Sequence, residues 1–142
     1  MKSIPVKDLL DGLLDIEDDL YYIYVIRDSQ EVLYVGKSVN PEQRLYEDFG
    51  VSWHSAGSSL YPFYEQNREI ASEWEVELYT LGDCEQYVVQ HFPTLSLERY
   101  RDFAYTELSI RSAELAMIAH FRPCLNVQNN PHRSEVPGRY RL

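Results

Sequence analysis

Cysteine is scarce: Cys84 and Cys124 are the only two in 142 residues, forty positions apart. That spacing suits neither a metal-ligand pair nor a disulfide framework, and it sets a reducing cytoplasm as the expected location. Lysine is scarce too, three against ten arginines, and the 13 cations face 23 Asp and Glu for a net charge of −10. Such a balance excludes broad, non-specific adhesion to nucleic acid or to an anionic membrane. Long apolar runs are missing, since a stretch such as Tyr21–Ile26 is far too short to cross a bilayer. The opening Met1-Lys2-Ser3-Ile4-Pro5 soon turns acidic, which predicts neither a signal peptide nor a transit peptide. No internal repeat and no low-complexity segment is found. There is no P-loop, no dinucleotide-binding glycine pattern and no serine-hydrolase elbow. His54, His91, His120 and His132 show no close ligand spacing, which argues against zinc.

What is present is enough for one core: 44% hydrophobic and 13% aromatic residues in a chain of single-domain length. Val6, Leu9, Leu10, Leu13 and Leu14 recur at helical spacing and predict a helix over about 4–15, with Ser3 as N-cap and an acidic link over Asp15–Asp19. Tyr21–Arg27 and Val32–Val35 are rich in β-branched and aromatic residues, and the polar Asp28-Ser29-Gln30-Glu31 between them predicts a hairpin. Asn40-Pro41 opens a helix that should stop at Gly50. A long loop with one short helix is expected over 50–72. Trp74, Val76, Leu78 and Thr80 alternate with Glu73, Glu75, Glu77 and Tyr79 as a strand with one wet face. Asp83 should cap a short helix to about Phe92, and Thr106–Phe121 reads as a helix ended by Pro123. The class expected is α+β, a small, mostly antiparallel three-stranded sheet flanked by helices.

One set of spacings points to chemistry. Tyr22-Ile23-Tyr24 is followed by Tyr34-Val35-Gly36, with ten residues from Tyr24 to Tyr34 and ten more from Tyr34 to Arg44 on the Asn40-Pro41 helix. Later comes Glu114 in Ala-Glu-Leu-Ala-Met-Ile, with Pro123 nine positions on and Asn126 twelve. In this order and spacing the chain resembles the GIY-YIG nucleases, a family that includes a repair incision subunit, homing endonucleases and some restriction enzymes. The resemblance covers about 21–49, 74–81 and 106–127. It implies a nuclease domain over 21–127 with inserts at about 50–72 and 82–105. Residues 1–20 would form an N-terminal helix and acidic link, and 128–142 a polar C-terminal tail. Two residues depart from the pattern: Tyr22 stands where the family often has Gly, and Asp48 where it usually has His or Tyr.

Phosphodiester cleavage needs an activated water, neutralisation of the scissile phosphate and help for the leaving oxygen. The resemblance assigns the base to Tyr34, with Tyr24 orienting the water or the phosphate; both are otherwise ordinary strand tyrosines. Gly36 would let the backbone approach phosphate, and it serves equally as a turn glycine. Lys37 would touch phosphate, or be a solvated lysine. Arg44 would bind phosphate and stabilise developing charge, or simply pair with Asp48 on its own helix. Glu114 interrupts an apolar stripe formed by Ile110, Met117, Ile118 and Phe121. A carboxylate there needs a partner, either a divalent cation, Mg²⁺ or Mn²⁺, or a cation such as Arg111. Asn126 would contact the substrate site or hold its loop.

The implied activity is a divalent-metal-dependent DNA endonuclease. A binding module that keeps the fold without turnover, and an RNase, are the competing readings. DNA binding is expected to be weak unaided, because the six cations of residues 1–98 face nineteen acids, whereas 99–142 carry seven arginines and four acids. Arg133, Arg139 and Arg141 of the tail are the candidates for extra DNA contacts. Specificity would otherwise come from a partner protein, a homo-oligomer or the substrate's shape.

Overall fold

The computed structural model describes residues 1–12, 16, 20–51, 58–93 and 107–142. His54, most of the acidic link and the stretch 94–106 lie outside the described residues. Four strands, β1 (Lys2–Pro5), β2 (Tyr21–Arg27), β3 (Val32–Lys37) and β4 (Glu75–Thr80), form one sheet in the order β1-β4-β2-β3, with every pair antiparallel. The described helices are α1 (Val6–Leu10), α2 (Pro41–Asp48), α3 (Tyr61–Gln66), α4 (Arg68–Ala71), α5 (Leu81–His91) and α6 (Glu107–Phe121). No described helix is long and apolar enough to cross a membrane.

The fourth strand is the main correction to the expected three. Residues 2–5 do not start a helix: Ser3 pairs with Glu77 and Ile4 with Val76, and the Ser3 hydroxyl donates to Glu75 (3.0 Å) rather than capping a helix. The helical spacing of Val6, Leu9 and Leu10 is real, but Pro5 is its N-cap and the helix begins at Val6. The open edge of β4 outcompetes one extra helical turn for these backbone groups, as tertiary pairing commonly overrides local propensity.

The sheet is covered on both faces, which explains why β2 has no polar alternation. Tyr24, Ile26, Leu33, Val76 and Leu78 face a core completed by α1 to α4 around Trp74. Ile23, Val25, Val35 and Tyr79 face the other core, beneath α5 and α6. The expected wet face of β4 is therefore wet only in part: Glu75 is exposed, while Tyr79 is buried.

Local chemistry accounts for the boundaries. Asp28 Oδ1 accepts from the backbone N–H groups of Gln30 and Glu31 (2.8 Å each), closing the β2–β3 turn. Asn40 caps α2 by accepting from Gln43 N, and Gly50 leaves it in the left-handed region (φ 75°), where its lack of a Cβ removes the strain. Two short helices, rather than one, occupy the described part of 50–72. Helix α5 is capped by Thr80, with Asp83 as the reciprocal partner three residues on, so the expected Asp83 cap is half of a capping box.

Residues 128–142 fold back onto the domain instead of trailing from it. Tyr140 is buried in the Trp74 core and accepts a hydrogen bond from Trp74 Nε1 (2.9 Å). Its hydroxyl donates to Asp28 (2.6 Å), while Arg139 pairs with Asp28 and Glu31. Asn67 holds the backbone of Arg141 through both its amide atoms. Arg139 is thus committed to this contact rather than offered to a polyanion; Arg133 and Arg141 are exposed.

Candidate active site

A cleft of about 360 Å³ opens beside β3. Tyr34, Ser59, Glu114 and Ile118 line it together with the 125–129 segment. Its floor is built by a short reach of C-terminal chain. Leu125 N–H donates to Leu33 O (2.9 Å), and the Asn126 amide both donates to and accepts from the backbone of Val35, at 2.8 Å each. Asn126 thereby extends the β3 edge as a strand would, and fixes the end of α6 against the sheet. Arg122, in the left-handed region, and Pro123 turn the chain into this position.

Below the cleft, Tyr24 and Tyr34 have their rings 6.1 Å apart at 41°. Tyr24 sits opposite Gly36 in the β2–β3 register, and a Cβ on Gly36 would land on the Tyr24 phenol. This packing is the local reason for the glycine. Tyr24 is 1% exposed, and its hydroxyl donates to Asp48 Oδ2 (2.8 Å). Asp48, also 1% exposed, accepts a second hydrogen bond at Oδ1 from Ser58 (2.5 Å). Arg44 lies one helical turn earlier, half-exposed, with Nε 3.8 Å from Asp48 Oδ1 and one terminal nitrogen 3.3 Å from Glu47. The pairing on one helix face anticipated from the sequence is present.

The electrostatics follow from burial. Desolvation pushes the Asp48 carboxyl up, against the hydrogen bonds from Ser58 and Tyr24 and the Arg44 charge. The Tyr24 phenol is raised well above its ordinary value, by burial first and then by Asp48. Burial and Asp48 also raise Tyr34, while a hydrogen bond from Ser59 and the charge of Arg44 pull it back. Desolvation disfavours the Arg44 cation, but Tyr24, Asp48 and Tyr34 together more than offset that.

Glu114 projects from α6 between buried Ile110, Ala113, Met117 and Ile118. Burial raises its carboxyl, and Lys37 and Arg111 only partly counter this from a distance. Among the described residues nothing donates a hydrogen bond or closes an ion pair to it. A half-buried carboxylate, facing a polar cleft without a close cation among the described residues, has the chemistry to hold a hard divalent ion together with water. No cluster of three or more His, Cys, Asp or Glu suited to a metal exists among the described residues; of the described residues that line the cleft, Glu114 is the one carboxylate.

The structure thus brings Tyr34, Glu114 and Asn126 to one cleft, with Arg44, Tyr24 and Asp48 grouped against Tyr34 and exposed Lys37 on the Glu114 side. Ser58 and Ser59 were not singled out by sequence. Their only signal was the Gly57-Ser58-Ser59 run, which resembles any loop. Elsewhere, His91 Nε2 and His120 Nδ1 meet at 3.3 Å on α5 and α6, far apart in sequence and without a third ligand among the described residues. Cys84 and Cys124 are buried thiols pushed up to about 12 and about 11 by desolvation, which fits inert core residues.

The GIY-YIG catalytic domain family model matches residues 20–123, most of the chain. No curated protein and no solved structure matches it. The described fold, an antiparallel sheet flanked by helices, is consistent with that match, and the chain belongs to the GIY-YIG nuclease family.

Proposed function

We propose that this protein is an endonuclease that hydrolyses DNA phosphodiester bonds at the Tyr34–Glu114 cleft. The observation that carries the reading is Glu114, a half-buried carboxylate with no close described partner, across one cleft from a tyrosine. Glu114 would hold Mg²⁺ or Mn²⁺, which when bound neutralises phosphate charge and assists departure of the 3′ oxygen. Tyr34, in its ionised phenolate form, takes the proton of the attacking water and becomes the neutral phenol. Arg44 stabilises the charge that grows on the phosphate, and Lys37 attracts it from the Glu114 side. Tyr24, with its hydroxyl spent on Asp48, orders this group from beneath, and Gly36 makes room for it. Asn126 acts by holding the floor. The ends left are 5′-phosphate and 3′-hydroxyl.

Burial and Asp48 hold the Tyr34 phenol above its ordinary range. Base catalysis through Tyr34 therefore strengthens as the pH rises from neutral to alkaline. With a net charge of −10, binding to DNA should be weak and should weaken further with salt, leaving specificity to a partner or to substrate shape. Purified protein should cleave supercoiled plasmid, branched DNA or single strands with Mg²⁺ or Mn²⁺, and cleave RNA more slowly. No cleavage of any DNA form would overturn the proposal, and faster RNA cleavage would move it to an RNase.

A second reading has one observation in its favour. Arg44 is flanked by Glu47 and Asp48, which partly neutralise the cation that should meet phosphate. A binding module without turnover would keep its biological effect in Glu114→Ala, whereas the nuclease loses it.

A further inference from the structure

The carboxylate at position 48 is costly where it stands. It is 1% exposed, it directly follows Glu47 on α2, and its nearest described cation is 3.8 Å away at Arg44 Nε. Removing a carboxylate from water at that separation is not repaid by Coulomb attraction alone. Its stabilisation comes instead from two hydroxyl donors on other segments, Tyr24 on β2 and Ser58 beyond α2.

Ser58 is itself fixed. Its hydroxyl oxygen accepts from the backbone N–H groups of Leu60 and Tyr61 (3.2 Å each), at the entry to α3, while its proton goes to Asp48. Leu60 is buried in the Trp74 core, so this loop cannot drift without breaking the packing. Ser59, next along, lines the cleft and hydrogen-bonds Tyr34. A continuous chain of contacts therefore runs from the core through Leu60 and Ser58 to Asp48, and from Asp48 to both Tyr24 and Arg44.

We propose that Asp48 is a positioning residue for Arg44, anchored by Ser58, so that the segment 58–61 after α2 is part of the working site. The inference rests on the nuclease reading for its kinetic consequence, though not for its geometry. An ionised carboxylate 3.8 Å away attracts the Nε edge of the guanidinium and adds to the hold of Glu47 (3.3 Å) and of the Tyr24 hydroxyl, which Asp48 itself anchors. An amide of the same size cannot do so: it carries no charge, and one of its two polar atoms would present N–H towards Tyr24, Ser58 or Arg44. Arg44 earns its effect only when aimed at charge that develops in the transition state, so misaiming costs turnover more than binding.

The groups facing Asp48 are Arg44 and Glu47 on α2, Tyr24 on β2, Tyr34 on β3 and the Ser58 hydroxyl. None is Glu114 or Lys37, so substitution at Asp48 leaves the cation-holding side of the cleft in place.

The test is a double-mutant cycle with a spectroscopic control. Asp48→Asn should lower kcat about tenfold with KM little changed, and leave the melting temperature equal or higher, because a costly buried charge has gone. Ser58→Ala should lower kcat by a smaller factor in the same direction. In an Arg44→Ala background, Asp48→Asn should have no further effect on kcat. A lower melting temperature with unchanged kcat, or the same loss of kcat in both backgrounds, would overturn the proposal. Independently of any cleavage, the Arg44 Nε–H signal in ¹H–¹⁵N spectra should keep its wild-type position in Asp28→Asn and shift in Asp48→Asn and Ser58→Ala. An unshifted signal in both Asp48→Asn and Ser58→Ala would refute the positioning role even if the protein cleaves DNA. An absence of cleavage with the signal behaving as expected would instead refute the nuclease reading.

Discussion

Two aspartates in this protein have nearly the same neighbours and opposite behaviour. Asp28 accepts from the Tyr140 hydroxyl and pairs with Arg139; Asp48 accepts from the Tyr24 hydroxyl and lies near Arg44. Yet Asp28 is held down at about 2, whereas Asp48 is pushed up. Burial opposes ionisation at both, but Asp28 adds two backbone N–H donors and a close guanidinium contact, and it lies at a turn on the surface. Asp48 has two hydroxyls and a cation that stays 3.8 Å away. The first arrangement stabilises the fold by clamping the C-terminal segment to the β2–β3 turn. The second costs stability, which is the expected signature of a group kept for what it does to a neighbour.

The largest effect that would break this comparison is on turnover. Arg44→Ala should reduce cleavage about 100-fold or more with little change in melting. Arg139→Ala should leave the rate per folded molecule unchanged and lower the melting temperature. Equal kinetic effects would dissolve the distinction between the two sites.

Next in size is stability. Asp28→Asn removes the charge that four donors serve and should cost about 2–3 kcal/mol in chemical denaturation. Its pH dependence has a definite sign. Because the folded value is depressed below the ordinary 3.8, Asp28 contributes stability in full above that value and loses it as the pH falls through about 2. Denaturation in this acid window should show a loss of about 1–2 kcal/mol, after allowing for solvent screening, that is absent in Asp28→Asn. Asp48 carries the opposite sign: its contribution is most favourable at low pH, where the carboxyl is protonated, and falls as the pH rises through its raised value.

The smallest effect sharpens the same contrast. Tyr140→Phe removes a donor from Asp28 and leaves Trp74 Nε1 without its acceptor, and should cost about 1–2 kcal/mol. Tyr24→Phe should cost under about 1 kcal/mol, because Asp48 keeps its Ser58 donor and its buried charge is costly with or without the Tyr24 hydroxyl. Thermal melts of the two variants side by side provide the check.

Much of this was legible in the sequence because the signals were local or evenly spaced. Asn40-Pro41 and Gly50 bracket α2, the Asp28-to-Glu31 turn separates β2 from β3, and the apolar stripe interrupted by Glu114 marks α6. Strand β1 was not legible, because Lys2-Ser3-Ile4-Pro5 has no strand pattern and becomes a strand only where β4 offers its edge. The docking of Tyr140 on Trp74 joins residues 66 apart and leaves no periodic trace. Asp48 could be seen as a partner for Arg44, but not as the centre of a network, because Ser58 looks like any loop serine until it is placed under Asp48.

Everything proposed for this cleft turns on Glu114. The most direct measurement compares wild type with Glu114→Ala on supercoiled plasmid, branched DNA and single strands, with Mg²⁺ and Mn²⁺, while circular dichroism confirms that both are folded. The wild type should cleave and the variant should not, at an unchanged melting temperature. Equal cleavage by both proteins would contradict the role given to Glu114.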